Sequence, residues 1–472
     1  MKKVIQKRNH INYRNRIEWF LIIALLFIFF TVVHGVSLVN AQGVEEEIQS
    51  SELNKYPEYS LRELYTIALE RSEQVKISEE DLFIAEKEKD RARSSLLPKI
   101  SAFGDYTRYS AEKITSAPFG SFPIQPEWSA SWGVRLDEAL SISGRELTAY
   151  KISKMGIETS RYDLYAVMED YLLNVTESYY DVLKANKAVE IATANAKRLT
   201  KHRDAAKTRF RVGEVTKTAV LRAEAELSGA QSLLVEAENL LKLAKAVLAR
   251  VVGIEGDFTL RETAFERTED LNLSLLQQEA FAERAEIKSS TIQKQIAEDE
   301  VRYTKGAYWP TLSIEGVYER REEDPSSPFF LDESIYGILR LNFPFFEGGL
   351  RKAEVKQAEA KYKQSELMYE DLKKTIAIEV ENAYLDLKTQ EGILESFRDQ
   401  VTFAQDNYNT VSKQFEFGLV NSIDVMDANT LLVEAERDFF KAQYNYQLAI
   451  VRLKRASGTL LRAVVDFNEK DE

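Results

Sequence analysis

Asp424 and Asp427 stand three residues apart in NSIDVMDAN, so on a helix both carboxylates share one face. One reading needs nothing beyond the helix. Asp424 complements the positive end of the helix dipole, with Asn421 or Ser422 as the cap. The equivalent stretch 205 positions earlier has Thr216, Lys217 and Ala219 and carries no acid, an asymmetry that capping alone leaves unexplained. Other reactive chemistry is sparse. The chain has no cysteine, which excludes disulfides, thiolate metal sites and cysteine nucleophiles. Of three histidines, His10 and His34 fall in a leader-like segment, and His202 lies in the charged run KRLTKHRDAAK, where it is expected to be solvated. With no nucleophile–base pair, metal cluster or phosphate loop, the sequence reads as a non-enzyme without cofactor or metal. A net charge of −13 argues against a nucleic-acid partner.

The elements that place the acid pair are written twice. RFRVGEVTKTAV and QFEFGLVNSIDV share Phe-x-x-Gly, with Gly213 and Gly418 separated by 205 residues. The same offset pairs Gly144 with Gly349, Val175 with Val380, Tyr179 with Tyr384 and Gly253 with Gly458. Upstream the offset is 212, pairing Ala68 with Ala280, Pro98 with Pro310 and Tyr106 with Tyr318. The change falls near SAPFGSFPIQPEW, where loop length costs little. One structural unit is therefore used twice.

Each unit reads helix, two strands, long helix, turn, helix. In the first, a helix over 61–96 stops at Pro98, a second spans about 145–210, and a third spans about 217–252. The second would be a rod of roughly 100 Å at about 1.5 Å per residue. The two shorter helices could stack end to end along it. Val220, Ala223, Leu227, Ala230, Leu234 and onward to Val251 keep a 3-4 spacing, repeated from Val425, Ala428 and Leu432 to Ala456. That large/small alternation predicts coiled-coil packing.

Four strands are expected. Trp128–Asp137 and Thr311–Arg320 alternate cleanly, Lys99–Tyr109 and Ser334–Phe343 less so. Each is near the ~9–11 residues of a tilted transmembrane strand. Aromatic residues at strand ends and loops rich in proline, glycine and charge at 110–127 and 321–333 fit an outer-membrane barrel. Four strands cannot close, and unpaired backbone in lipid costs several kcal/mol per group. Several copies must then share one barrel. Three would supply twelve strands.

The termini complete the domain reading. A basic lead and the apolar run FLIIALLFIFFTVV, then Val39-Asn40-Ala41, predict a signal peptide over 1–41, with a permanent membrane anchor as the alternative. An extension (42–60), the first repeat (61–253), a linker (254–274), the second repeat (275–458) and a tail (459–472) follow.

The duplicated order, Leu-Leu-Pro before the first strand, Gly348-Gly-x-Arg351 opening a long helix and Phe-x-x-Gly at the far turn together resemble the TolC family of outer-membrane efflux channels. The resemblance covers about 60–458. It implies a homotrimer with a 12-stranded barrel in outer-membrane lipid and a 12-helix periplasmic tunnel. The function implied is a passive exit duct for efflux or type I secretion, opened by a periplasmic adaptor and an inner-membrane transporter. It further implies adaptor docking at the tips, Val212, Gly213 and Glu214 with Phe417, Gly418 and Leu419, and a constriction ringed by Asp424 and Asp427. Ala219 and Val420 depart from the family's pattern at the mouth. A periplasmic coiled-coil adaptor is the alternative, although an adaptor should carry one hairpin rather than a duplicated unit.

Overall fold

In the computed structural model, residues 56–118, 120–268, 271–326 and 331–469 are described. The expected signal peptide and residues 42–55 of the extension lie outside them, as do the last three residues of the tail. Among the described residues no helix is long and apolar enough to cross a membrane.

In chain order the elements are β1 (Glu58–Tyr59), α1 (Leu61–Arg71), α2 (Glu73–Ser94), β2 (Lys99–Arg108), β3 (Lys113–Ala117), β4 (Gly120–Gln125), β5 (Trp128–Ser141), α3 (Arg145–Arg211), α4 (Lys217–Val252) and β6 (Thr259–Leu260). Then come α5 (Leu273–Glu283), α6 (Ala285–Lys305), β7 (Thr311–Asp324), β8 (Glu333–Asn342), α7 (Leu350–Glu416), α8 (Ser422–Ala456) and α9 (Leu460–Glu469). The two long helices, α3 and α7, have 67 residues each. Both contain no proline, and both start after a glycine in the left-handed region, Gly144 and Gly349.

The expected helix over 61–96 is broken at Ser72, which takes φ −56° and ψ 123° and re-caps α2 by accepting from Val75 N–H. Arg284 breaks the second unit at the corresponding position with φ −58° and ψ 129°. The duplication thus extends to a backbone kink that the residue types alone do not share.

α3 packs against α4, and α7 against α8, as two hairpins; α3 also meets α2, α6 and α8. The heptad positions fill these seams. Ala223, Leu227 and Ala230 are buried on α4, and Val425, Ala428, Leu432 and Ala435 on α8. Near the end of α4 the chain meets α1, where Arg71 donates to the Gly253 carbonyl at 2.6 Å. The two shorter helices therefore do adjoin along α3. The main core lies around this junction, with Leu64, Leu172, Val175, Tyr179 and Leu248 fully buried. The linker lies against it, the Tyr179 hydroxyl donating to the Arg261 carbonyl at 2.5 Å.

The four long strands form one antiparallel sheet in the order β2-β5-β7-β8. Two of them, β5 and β7, run to 14 residues, four beyond the expected ends. Register assigns the faces. Ala102 pairs with Val134 and Val134 with Tyr318, so one face carries Ile100, Trp132, Val134, Ile314 and Leu339. The opposite face carries Arg135, Glu315 and Arg340, with Arg135 3.4 Å from Glu315 and 5.4 Å from the Phe103 ring centre. Aromatic contacts mark the apolar face near the β5 start, Tyr106 with Trp128 and Trp132 with Tyr318. At Gly133 a Cβ would fall 2.1 Å from the Tyr318 carbonyl oxygen, so only glycine fits there. The loop expected over 110–127 instead holds the β3–β4 hairpin.

Candidate functional site

The two hairpin tips are the same structure. After α3, Val212 is the cap and Gly213 takes φ +81°; its N–H reaches the Phe210 carbonyl at 3.1 Å and Glu214 N–H reaches Arg209 at 2.9 Å. After α7, Phe417 is the cap and Gly418 takes φ +71°, with bonds to Phe415 at 3.0 Å and from Leu419 to Gln414 at 2.9 Å. Both are Schellman terminations, in which a left-handed residue lets two free carbonyls be satisfied. Around both glycines a Cβ would meet open space, so conformation rather than room demands glycine. The flanking apolar side chains point into solvent: Val212 is 67 % exposed, Phe417 80 % and Leu419 74 %.

α8 begins differently from α4. Asn421 accepts from Ile423 N–H at 2.7 Å and Asp424 N–H at 3.2 Å, while Asp424 accepts from Asn421 N–H at 2.9 Å. This is a complete capping box. Thr216, at the start of α4, makes no such bond. Asp424 therefore has a capping role that has no counterpart at Ala219. Capping does not account for Asp427, exposed one turn further on and outside the box.

A polar seam joins the hairpins just behind the tips. Arg209 donates to the Glu416 carbonyl at 2.8 Å and lies over the Phe415 ring at 4.3 Å. His202 Nε2 is 2.8 Å from Ser422 Oγ. Further along, Asn429 donates to Asn195 at 2.7 Å, and Arg198 reaches Asn429 at 3.0 Å and Glu436 at 3.3 Å. His202 is buried, not solvated as its charged neighbours suggest, because it continues an inward stripe of Ile191, Asn195, Leu199, His202 and Ala206. Burial, then the nearby Arg209 charge, holds its pKa below the ordinary imidazole value. None of these seam residues was expected at a site. The 3-4 spacing of that stripe is the signal that could have found them.

Far from the tips, four buried or half-buried charges meet where α3, α6 and α8 converge. Arg455 donates to Asp170 at 2.7 Å and to Glu286 at 2.7 Å, and Glu169 lies 3.4 Å away. Arg284 binds Glu286 at 2.8 Å and also Glu379. Although burial pushes Glu286 up, the Arg284 and Arg455 guanidinium groups outweigh it and hold its pKa at about 2.

A sheet with one apolar and one charged face, joined to two hairpins with exposed tips, defines an outer-membrane channel subunit with a helical extension. The comparisons agree. The outer membrane efflux protein family matches residues 64–254 and 276–459. Outer membrane protein TolC of Vibrio cholerae is 24 % identical over 392 residues, 80 % of this chain and 86 % of that protein. In fold, the chain is similar to CusC (TM-score 0.76, 16 % identity, 85 % of this chain and 93 % of that one). It is also similar to the Campylobacter jejuni CmeC outer membrane channel (TM-score 0.72, 17 % identity, 90 % and 94 %). The chain belongs to the outer membrane efflux protein family, the TolC family. It is a passive outer-membrane exit duct with a periplasmic helical part, neither an enzyme nor an adaptor.

Proposed function

We propose that three copies close one 12-stranded barrel and one 12-helix tunnel, and that the hairpin tips form the mouth that an adaptor and an inner-membrane transporter engage. The observation that carries this is the pair of open sheet edges. β2 and β8 each present ten residues on one side without a neighbour in the described chain. In lipid such edges are untenable. Because β2 and β8 run in opposite directions, β8 of one copy can pair antiparallel with β2 of the next. Three copies, as in the family, bring the four strands of each to twelve.

With closure, the face bearing Ile100, Trp132, Val134 and Leu339 meets lipid, and the face bearing Arg135, Glu315 and Arg340 lines the lumen. The apolar tips Val212, Phe417 and Leu419, each turned by Gly213 or Gly418 beside Glu214, suit a protein partner better than water. Asp427, with Asp424 beside it, supplies two carboxylates per copy near the tips, and a ring of such groups in a narrow passage favours cations.

The test is reconstitution. Protein purified from outer membranes should form discrete, cation-selective channels in planar bilayers, and crosslinking in cells should recover an inner-membrane transporter with it. Recovery as a water-soluble periplasmic protein without channel activity would overturn the reading.

A further inference from the structure

His202 is the one histidine among the described residues, and its place is unlike a surface group's. The ring sits between three helices of one copy. From its own α3, Arg198 and Arg209 flank it; Lys201 is exposed and Arg203 is engaged with Asp204 at 2.9 Å. From α7 come Phe415, its ring centre 5.0 Å away, and the Tyr408 phenol. From α8 come the Ser422 hydroxyl, Val425 and Met426, while the carboxylates of that segment, Asp424 and Asp427, stand exposed. From α4 the nearby buried group is Ala223, which shares a cluster with Ala206, and the adjacent Glu224 binds Lys207 at 2.7 Å. The charge that acts on the ring is the positive one of Arg209. Ser422 is the first residue of α8, whose next two amides, those of Ile423 and Asp424, are capped by Asn421.

We propose that His202 is a proton-sensitive latch between the two hairpins of one copy, holding α3 against the start of α8 when neutral and releasing it when charged. An imidazolium there faces burial and a guanidinium together. The ring can take up a proton at little cost only when α3 and α8 separate and water reaches it. The sign follows from linkage. The closed contact binds fewer protons than the open one, so its stability is complete above the ordinary imidazole value of about 6.5 and is lost as pH falls below it. With one proton per copy, the open-to-closed ratio rises by at most about tenfold per pH unit. The neighbouring bonds from Arg198 and Arg209 remain to be broken, so the latch biases opening and does not replace a docking partner. The latch is a contact inside one copy and does not depend on the number of copies or on the role of Asp427.

The chain's lack of cysteine makes the test direct. Spin labels placed by Lys201→Cys on α3 and Thr430→Cys on α8, both exposed positions, report the separation of the helices by pulsed electron resonance. Labelled full-length chain is diluted with unlabelled copies so that each assembly carries one pair. Between pH 7.5 and 5.5 the longer-distance population should grow severalfold. His202→Gln and His202→Leu should each show one distribution at both pH values, and either variant alone suffices if the other fails to assemble. A separation in the wild-type chain that ignores pH, or a pH response that survives both substitutions, would overturn the latch.

Discussion

Arg455, one residue from the end of α8, donates to Glu286 in the first turn of α6 at 2.7 Å, joining segments 169 positions apart in sequence. Both lie near the Ser72/Arg284 level of the repeat, where the kinked helices meet the long ones. Here Glu169 and Asp170 of the first unit meet Arg284, Glu286 and Arg455 of the second in a charge network, beside the apolar core around Leu64 and Leu248.

Removing one side of that network leaves charge buried without a partner. Arg455→Ala should destabilise the folded chain by about 3–5 kcal/mol, the usual cost of breaking a buried pair. Glu286 adds a pH dependence. Its folded pKa of about 2 lies below the ordinary glutamate value of 4.5, so its contribution is complete above about 4.5 and disappears as pH falls toward 2. Thermal unfolding followed between pH 7 and 3 should show acid destabilisation that Glu286→Gln flattens. An unchanged acid limb in that variant would remove Glu286 from the account.

Asp424 and Asp427 should separate under substitution. Asp424→Ala loses half of a capping box and should cost about 1 kcal/mol at the start of α8. Asp427→Ala should leave the helix intact yet weaken cation selectivity and divalent block in bilayer recordings. If the double variant keeps full selectivity, neither carboxylate lines the passage.

The tip glycines test docking. Gly418→Trp forces a side chain into the left-handed region, a strain of roughly 1–2 kcal/mol that a helix end of 67 residues can absorb. Oligomers should still reach the outer membrane while export is lost, and Gly213→Trp should behave alike. Full export from both would leave these glycines as turns only.

Much of this architecture is legible in local pattern. The duplication, the alternation of Leu and Ala along α4 and α8, and the two faces of β5 and β7 all follow from spacings of two to seven residues, which sequence displays directly. The acid pair is legible as two readings, capping and a place at the passage, and the capping box gives Asp424 the first without excluding the second. What the sequence hid was long-range or ambiguous. The kink at Ser72 depends on a β-like backbone at an otherwise helix-compatible residue. His202 is masked by Lys201 and Arg203, whose charges point outward while it points in. The Arg455–Glu286 bond joins residues with no shared periodicity, so no window of sequence contains it.

The edges of the sheet decide the central claim most directly. In a chain without native cysteine, pairs introduced along β2 and β8 can link only to one another, and oxidation in intact outer membranes can be read by non-reducing electrophoresis. The account predicts that in-register pairs give linked ladders ending at three copies. Failure of every β2–β8 pair to link between copies, or a purified single copy conducting alone, would contradict it.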